Sequence, residues 1–148
     1  MTRTLPVFVL AIALVGALAP QALGSPTTLL VAYKDTLLAK DCAGFTALFS
    51  STGVFYGPQG NAYAGHGAID AFCQQSTALG KVSVYSYTDM VFNGDNAGLA
   101  KYVVTLAPTG VPMVATGHNA YFFSANASAP HGYLFDRVAG FADAVKYP

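Results

Sequence analysis

VSVYSYTDMVFNGDN, residues 82–96, marks the point where the apolar pattern of the chain changes from helical to alternating. Side chains alternate from Val82 to Tyr87, which is typical of a strand with one buried face. Met90-Val91-Phe92 continues as strand, and Asn93-Gly94-Asp95-Asn96 is a strong hairpin signal. Further strand patterns follow at residues 99–106, 114–124 and 133–141, with a turn at Pro108-Thr109-Gly110. The second half of the chain therefore predicts a long antiparallel meander.

Helical patterns occupy the chain before this stretch. Ser25 and Pro26 supply an N-cap and a first-turn proline, and Asp41 can cap a short second helix. A third helix is predicted from about residue 67 to residue 78. The side chains that we expect on the inward faces of the three helices are Leu29, Leu30, Tyr33, Leu37 and Leu38, then Phe45, Leu48 and Phe49, then Ile69, Phe72 and Cys73.

A brief strand, Val54-Phe55-Tyr56, separates the second helix from the third. The turn Gly57-Pro58-Gln59-Gly60 ends it. Helices followed by a meander, with no repeat and no linker between them, predict an α+β fold in which the helices pack on one face of a curved, mainly antiparallel sheet.

Composition limits the classes of protein that need to be considered. The 148 residues are 53% hydrophobic and 9% charged, with seven basic and seven acidic side chains. This balance excludes a disordered charged tail, and it offers no cationic surface for a nucleic-acid partner. A chain of this length predicts one domain, which we place at residues 25–148.

The first 24 residues resemble a secretory leader. Arg3 precedes an apolar run over residues 7–19, and the small-residue stretch Ala22-Leu23-Gly24-Ser25 follows it. The pattern predicts a signal peptide at residues 1–24, cleaved after Gly24. The run falls short of the roughly 20 residues that a membrane-spanning helix needs. We therefore predict a secreted protein that keeps no membrane contact after cleavage.

Export changes the interpretation of the cysteines and of one asparagine. A bridge between Cys42 and Cys73 would close a loop of about thirty residues and stabilise the fold by about 3–4 kcal/mol. Two separate buried thiols are the alternative. Asn126-Ala127-Ser128 has the spacing of an N-glycosylation acceptor. Modification of Asn126 would require a eukaryotic secretory pathway, which the sequence does not establish.

Several elements together resemble the nuclear-transport-factor-2-like (NTF2-like) superfamily, and within it the SnoaL-like and ketosteroid-isomerase-like branch. The similar elements are the acidic start of the second helix at Asp41, the Leu48-Phe49 pair at its end, Pro58 after the first strand, and the stretch from Gly65 to Ile69 that opens the third helix. The resemblance spans nearly the whole chain after the leader. It implies a cone in which the bent sheet wraps around the helices and leaves a pocket between them.

The resemblance also implies roles for individual residues. Ketosteroid isomerases need a carboxylate base and two hydrogen-bond donors, one a tyrosine hydroxyl and the other a protonated acid. By position, Tyr33 matches the tyrosine and Asn119 matches the acid, and an amide can still donate a hydrogen bond. The position of the base, immediately before Pro58, is Gly57 here. Cys73 stands where the family has a further tyrosine.

Glycine cannot act as a general base, so the family's isomerisation is not expected. Asp136 is the alternative base, because some cyclase relatives use an acid in the later strands. His118 neighbours Asn119 on a strand, and alternation places it outside the pocket. The other ionisable candidates are His66 at the start of the third helix, His131 in a loop, Asp70 and Asp89.

The sequence favours the binding of a small hydrophobic molecule. Its 10 Phe and 9 Tyr, with no Trp, suit the walls of an apolar cavity. We expect Tyr33 and Asn119 as polar contacts and Phe45, Tyr56, Phe72, Tyr121 and Phe135 as walls. An isomerase, cyclase or dehydratase is one alternative, and a homodimer formed through the sheet without a ligand is another. No nucleotide-binding motif or metal-ligand spacing is present, so neither a cofactor nor a metal is expected.

Overall fold

A computed structural model describes residues 24–57, 59–79, 82–107 and 111–146. The predicted leader up to residue 23, Pro58 and the predicted turn at residues 108–110 lie outside the described residues. The elements are α1 (Pro26–Ala39), α2 (Cys42–Ala47), β1 (Phe49–Tyr56), β2 (Ala62–Ala64), α3 (Gly65–Leu79), β3 (Val82–Asn93), β4 (Ala97–Leu106), β5 (Met113–Ala125) and β6 (Tyr133–Lys146).

The starts of the first two helices follow the sequence signals. Ser25 and Thr28 form a capping box at the start of α1, and Pro26 occupies its first turn. Asp41 caps α2, where its Oδ1 accepts the Gly44 N–H at 2.8 Å. Lys40, in the left-handed region at φ 57°, ends α1 and turns the chain into α2.

The six strands form one curved sheet in the order β2-β1-β6-β5-β4-β3. Neighbouring strands are antiparallel except for β1 and β6, which are parallel. The predicted hairpin joins β3 to β4, with Asn93 opposite Ala97. The mixed α+β class and the mainly antiparallel sheet are therefore confirmed.

The strands differ from the prediction mainly at three places. β1 begins at Phe49 instead of Val54, because its register with β6 shifts between these two residues and breaks the alternation on which the prediction rested. β2, a strand of 3 residues that pairs with the end of β1, was not predicted. β6 continues past Phe141 to Lys146 and pairs there with β5, although the side chains of residues 141–144 are exposed.

The core lies between the helices and the inner face of the sheet. Leu29 and Leu30 of α1, Phe45 of α2 and Ile69 of α3 are all fully buried. α3 packs on β1, while α1 packs mainly on β3. The inner face supplies Phe49, Phe55, Tyr121, Phe123, Phe135 and Val138 to the same core.

A disulfide joins Cys42, the first residue of α2, to Cys73 in the middle of α3. Their Cα atoms are 5.5 Å apart, within the range that a disulfide spans. The bridge predicted as one of two alternatives is therefore present, and it fastens the short helix to the long one.

A glycine lets one tyrosine lie flat on the inner face of the sheet. Tyr102 of β4 reaches across Gly117 of β5 and donates its hydroxyl proton to the Phe141 carbonyl of β6 at 3.4 Å. A Cβ atom at Gly117 would collide with the Tyr102 hydroxyl and with the Phe141 carbonyl. The ring of Tyr85, from β3, stacks on Tyr102 with a centroid separation of 5.6 Å.

We expect Gly117→Ala to lower the free energy of unfolding by about 1–3 kcal/mol, because the added methyl group overpacks the contact between Tyr102 and the β6 backbone. Urea denaturation monitored by circular dichroism measures the change. Gly67→Ala is the matched control, since no atom lies within 4 Å of its added Cβ. The control should be neutral or stabilising by up to about 1 kcal/mol, because alanine is the better helix former. Equal stability of the two variants would contradict the packing described for Tyr102.

Reduction of the disulfide should destabilise the protein by about 3–4 kcal/mol, because the open loop regains conformational freedom in the unfolded chain. Urea denaturation with and without a thiol reductant measures this difference. The double variant Cys42→Ala/Cys73→Ala serves as the control and should respond to urea identically in both conditions. A wild-type midpoint that reductant leaves unchanged would show that the bridge does not constrain the chain.

Candidate functional site

Five tyrosines and one asparagine form a polar cluster inside the otherwise aromatic core. We call this set, Tyr33, Tyr85, Tyr87, Tyr102, Tyr121 and Asn119, the tyrosine cluster. Asn119 on β5 is buried, and its Nδ2 donates to the hydroxyl oxygens of Tyr85 and Tyr121, each at 2.9 Å. Both amide protons of Asn119 are therefore used within the sheet.

The direction of the next hydrogen bonds follows from counting protons. Tyr87 donates its single hydroxyl proton to the Leu30 carbonyl of α1 at 3.3 Å. In the 3.0 Å contact between the Tyr87 and Tyr121 hydroxyls, Tyr121 must then be the donor. A continuous chain of donors therefore runs from Asn119 through Tyr121 and Tyr87 to the backbone of α1.

Tyr33 enters the cluster from the helical side. It is 3% exposed, and its ring lies edge-on to Tyr85, Tyr121 and Phe135 at centroid distances of 6.3, 5.7 and 5.8 Å. Its hydroxyl forms no hydrogen bond with any residue that the structure describes. Among the described residues, Thr46 Oγ1 is the unpaired side-chain atom that is fully enclosed. Within the described part of the chain, the Tyr33 oxygen thus has no partner, and it is not among the fully enclosed atoms.

Burial raises the pKa of the cluster hydroxyls. Desolvation is the largest cause for Tyr33 and Tyr121, followed by repulsion from the neighbouring tyrosines, Tyr85 first. Desolvation also raises the pKa of Tyr85 and Tyr87. For Tyr102 the second cause is the negative charge of Asp143. All five side chains therefore remain neutral hydrogen-bonding groups at physiological pH.

The predicted aromatic walls are mostly brought together around this cluster. Phe45 lies 5.1 Å from Tyr33, and Phe135 lies 5.4 Å from Tyr121, measured between ring centroids. Phe72 is half-buried and reaches the core through Phe55, at 4.5 Å. Tyr33, Asn119, Phe45, Tyr121, Phe135 and Phe72 therefore border one continuous aromatic interior.

Tyr56 lies elsewhere. Within β1 the buried partner is Phe55, which is 4% exposed, while Tyr56 faces the opposite side of the sheet and lines a cavity there. The prediction placed Tyr56 in the wall because the strand pattern did not settle which residue faced inward. Phe55 occupies the place that we expected for Tyr56.

Asp136, the alternative base, is exposed, and its Oδ1 accepts a hydrogen bond from Ser124 Oγ at 3.3 Å. Its neighbour Phe135 points into the core, as strand parity predicted. Among the described residues, every aspartate is exposed or half-buried, and none belongs to the buried core. Asp70 is held near Gln74 on α3, and Asp89 lies on edge strand β3.

The histidines also lie outside the tyrosine cluster. His118 Nδ1 is 2.8 Å from the Asp143 carboxylate on the outer face, as its position next to Asn119 predicted. His66 Nε2 contacts the Phe49 carbonyl at 2.9 Å at the start of α3. His131 lines a surface cleft beside the start of α1.

Asn126 lies in the turn between β5 and β6, where its side-chain oxygen accepts the Ser128 N–H. Its glycosylation stays a prediction.

Gly57, at the position of the family's base, sits beside a cleft of about 420 Å³. A Cβ atom there would make ordinary contacts with Tyr63, Phe55 and Phe72. The cleft has an aromatic base of Tyr63 and Phe72, whose rings are 4.6 Å apart. Its remaining lining residues are neutral: Gln59, Asn61, Gln75 and Ser76.

Sequence reasoning missed Tyr85, Tyr87 and Tyr102 as members of the site. The alternation over residues 82–87 put Tyr85 and Tyr87 on one face, and that was the available signal. Which face pointed inward depended on the pairing with β4, which a local pattern does not encode.

Among the described residues, no three His, Cys, Asp or Glu side chains group in a way that could hold a metal ion. The described helices include none that is long and apolar enough to cross a membrane.

Stability should fall as the pH rises above about 10, the pKa of a free tyrosine. Above that pH the unfolded chain loses hydroxyl protons that Tyr33 and Tyr121 retain in the native state, so the native state binds more protons and raising the pH favours unfolding. Below about pH 10 the stabilisation is fully present. Free energies of unfolding measured between about pH 8 and pH 11 test this, with tyrosinate absorbance followed in parallel.

The variant Tyr33→Phe provides the control for this titration. This variant lacks one of the hydroxyls whose pKa is raised by burial. Its stability should therefore fall less steeply above about pH 10, by up to about 1.4 kcal/mol per pH unit. If all nine tyrosines ionised near pH 10 while the fold persisted, the burial described for the cluster would be contradicted.

Comparison with known proteins identifies the fold. No family model matches the sequence, and no curated protein does. The protein RV0760c from Mycobacterium tuberculosis superimposes with a TM-score of 0.71 at 18% identity, covering 86% of this chain and 100% of that chain. A computationally designed 17-OHP binder superimposes with a TM-score of 0.68 at 18% identity, covering 84% of this chain and 98% of that chain.

A ketosteroid isomerase-like protein from Erwinia carotovora atroseptica gives a TM-score of 0.66 at 15% identity, covering 80% of this chain and 93% of that chain. At such identities the similarity concerns the backbone architecture alone. It agrees with the resemblance found in the sequence and with the three helices and curved sheet described above. The chain therefore has the fold of the NTF2-like superfamily.

Proposed function

We propose that this chain is a secreted protein that binds a small, largely apolar molecule carrying one hydroxyl or carbonyl oxygen. The observation that carries the proposal is the Tyr33 hydroxyl, which belongs to a side chain only 3% exposed and has no hydrogen-bond partner among the described residues. A ligand oxygen that accepts the Tyr33 hydroxyl proton would add one neutral hydrogen bond, worth about 1 kcal/mol.

The surroundings of Tyr33 favour a neutral ligand. Tyr85 accepts a proton from Asn119 and has its own hydroxyl proton left for a ligand oxygen. The rest of the lining is aromatic, with Phe45 and Phe135 against the Tyr33 ring. Neutral donors inside an aromatic enclosure bind an uncharged oxygen on an apolar body better than they bind an ion, because the site cannot compensate for the loss of an ion's hydration.

Binding is favoured over carboxylate-driven catalysis by the positions of the acids. Gly57 offers no side chain at the position of the family's base, and Asp136 is exposed and bonded to Ser124. A general base must lie within hydrogen-bond reach of the proton that it removes. We infer that the donors of the tyrosine cluster orient a ligand instead of stabilising charge formed during proton abstraction.

The ligand would enter beside the edge strand β3. Tyr85 and Tyr87 are half-buried, so this side of the tyrosine cluster is the one nearest solvent. Movement of their rings requires no change in the pairing of β1, β6 and β5. One of the structures with the same fold is a computationally designed 17-OHP binder, which supports the proposal of small-molecule binding by this architecture. The disulfide is compatible with an extracellular location.

Tyr33→Phe should lower the affinity for 2-naphthol about fivefold, the equivalent of one neutral hydrogen bond of about 1 kcal/mol. Affinity for naphthalene, which has the same rings without the oxygen, should stay unchanged. The stability of the apo protein should change by less than about 1 kcal/mol, because the hydroxyl that is removed has no partner among the described residues. The chain has no Trp, so probe fluorescence can be titrated directly and stability measured by urea denaturation.

Tyr133→Phe is the matched control, because Tyr133 is also buried but packs at the other end of the sheet against Phe123. It should leave the preference for 2-naphthol over naphthalene intact. The proposal fails if neither probe binds saturably to the wild type. It also fails if Tyr33→Phe keeps the full preference for 2-naphthol.

A further inference from the structure

The outer face of the sheet, opposite the helices, carries a cavity of about 570 Å³. It is of the size that small-molecule sites usually have. It is lined by the end of β1, by residues between β1 and β2, and by the middle of β5 and β6. The lining residues are Tyr56, Gly57, Gly60, Ala120, Phe122, Arg137, Ala139, Gly140 and Phe141. We call it the outer cavity.

The depth of the outer cavity comes from strand register. Ala139 on β6 lies opposite Ala120 on β5, so the floor between these two strands consists of small side chains. Tyr56 on β1 lies opposite Ala139 and lines the cavity beside this floor. Phe122 and Phe141 rise from this floor, with 43% and 55% of their surface exposed. Two large aromatic rings on a floor of alanine and glycine leave a slot that suits a flat apolar body.

Arg137 gives the slot a charge. Its guanidinium carbon lies 5.5 Å from the centre of the Phe122 ring, which holds the cation at the wall of the cavity. No carboxylate of a described residue lies within ion-pair distance of Arg137. Asp136 is bonded to Ser124, and Asp143 is paired with His118. Of the described residues that line the cavity, Arg137 is therefore the one cation, and none of them takes up its hydrogen-bond donors.

We propose that the outer cavity binds a small aromatic carboxylate, with its ring between Phe122 and Phe141 and its carboxylate on the Arg137 guanidinium. The planar guanidinium can donate two parallel hydrogen bonds to a carboxylate. This site is separate from the tyrosine cluster, since it lies on the other face of the sheet and selects for a negative charge. The complementary charge and the concave shape favour a small ligand over a second copy of the chain.

The test uses 2-naphthoate titrated against the full chain by isothermal calorimetry. Arg137→Gln should weaken its binding about tenfold or more, the loss expected for a charge-assisted pair. Lys101→Gln is the matched control, because it removes the same charge from the exposed side of β4 outside the cavity lining. It should change the affinity less than about twofold. Chemical shift changes on binding should fall on the methyl groups of Ala120 and Ala139.

Two further measurements separate this site from the tyrosine cluster and from self-association. Tyr33→Phe should leave 2-naphthoate binding unchanged, while Arg137→Gln should leave 2-naphthol binding unchanged. Equal affinity of wild type and Arg137→Gln for 2-naphthoate would overturn the proposal. So would the absence of saturable binding, or sedimentation of a stable dimer in which the signals of Phe141 and Ala139 do not respond to 2-naphthoate.

Discussion

The hydrogen-bond chain from Asn119 through Tyr121 and Tyr87 to the Leu30 carbonyl is the interaction on which the arrangement of the interior depends. It links a central strand, the edge strand and α1 inside an aromatic core, where an unsatisfied polar group would be costly. Because Leu30 is fixed by this chain, Tyr33 on the next turn of the same helix is fixed with it. The unpaired hydroxyl is therefore positioned by hydrogen bonds in which it takes no part.

Local signals predicted the elements whose chemistry is local. The cap at Ser25, the cap at Asp41 and the hairpin at residues 93–96 follow directly from side-chain preferences, and the structure confirms them. The curved sheet with helices on one face followed from the order of the elements. The cone and the roles of Tyr33 and Asn119 as interior donors came from the family resemblance. The register of β1 with β6 shifts between Phe49 and Val54, so no periodicity marks the first half of the strand, and this is why its predicted boundary was wrong.

The membership of the tyrosine cluster could not be read from the sequence for a different reason. A period of two says that Tyr85 and Tyr87 share a face, yet the face is chosen by pairing with β4, whose register depends on the whole sheet. Tyr102 is positioned by Gly117, a residue on another strand that matters because it has no side chain. For the same reason, the local pattern did not predict that Tyr56 lies on the outer face while Phe55 is buried.

The position of β6 between β1 and β5 also bears on the order of folding. β1 belongs to the N-terminal half, yet its long neighbour in the sheet is the last strand of the chain. Contacts between segments so distant in sequence form late, because the intervening chain must first be brought to order. The disulfide, in contrast, joins two residues of the N-terminal half and needs no part of the meander. We expect the disulfide between Cys42 and Cys73 to form in newly made chains before β6 pairs with β1. α2 and α3 would then already be crosslinked when the C-terminal strand is added to the sheet.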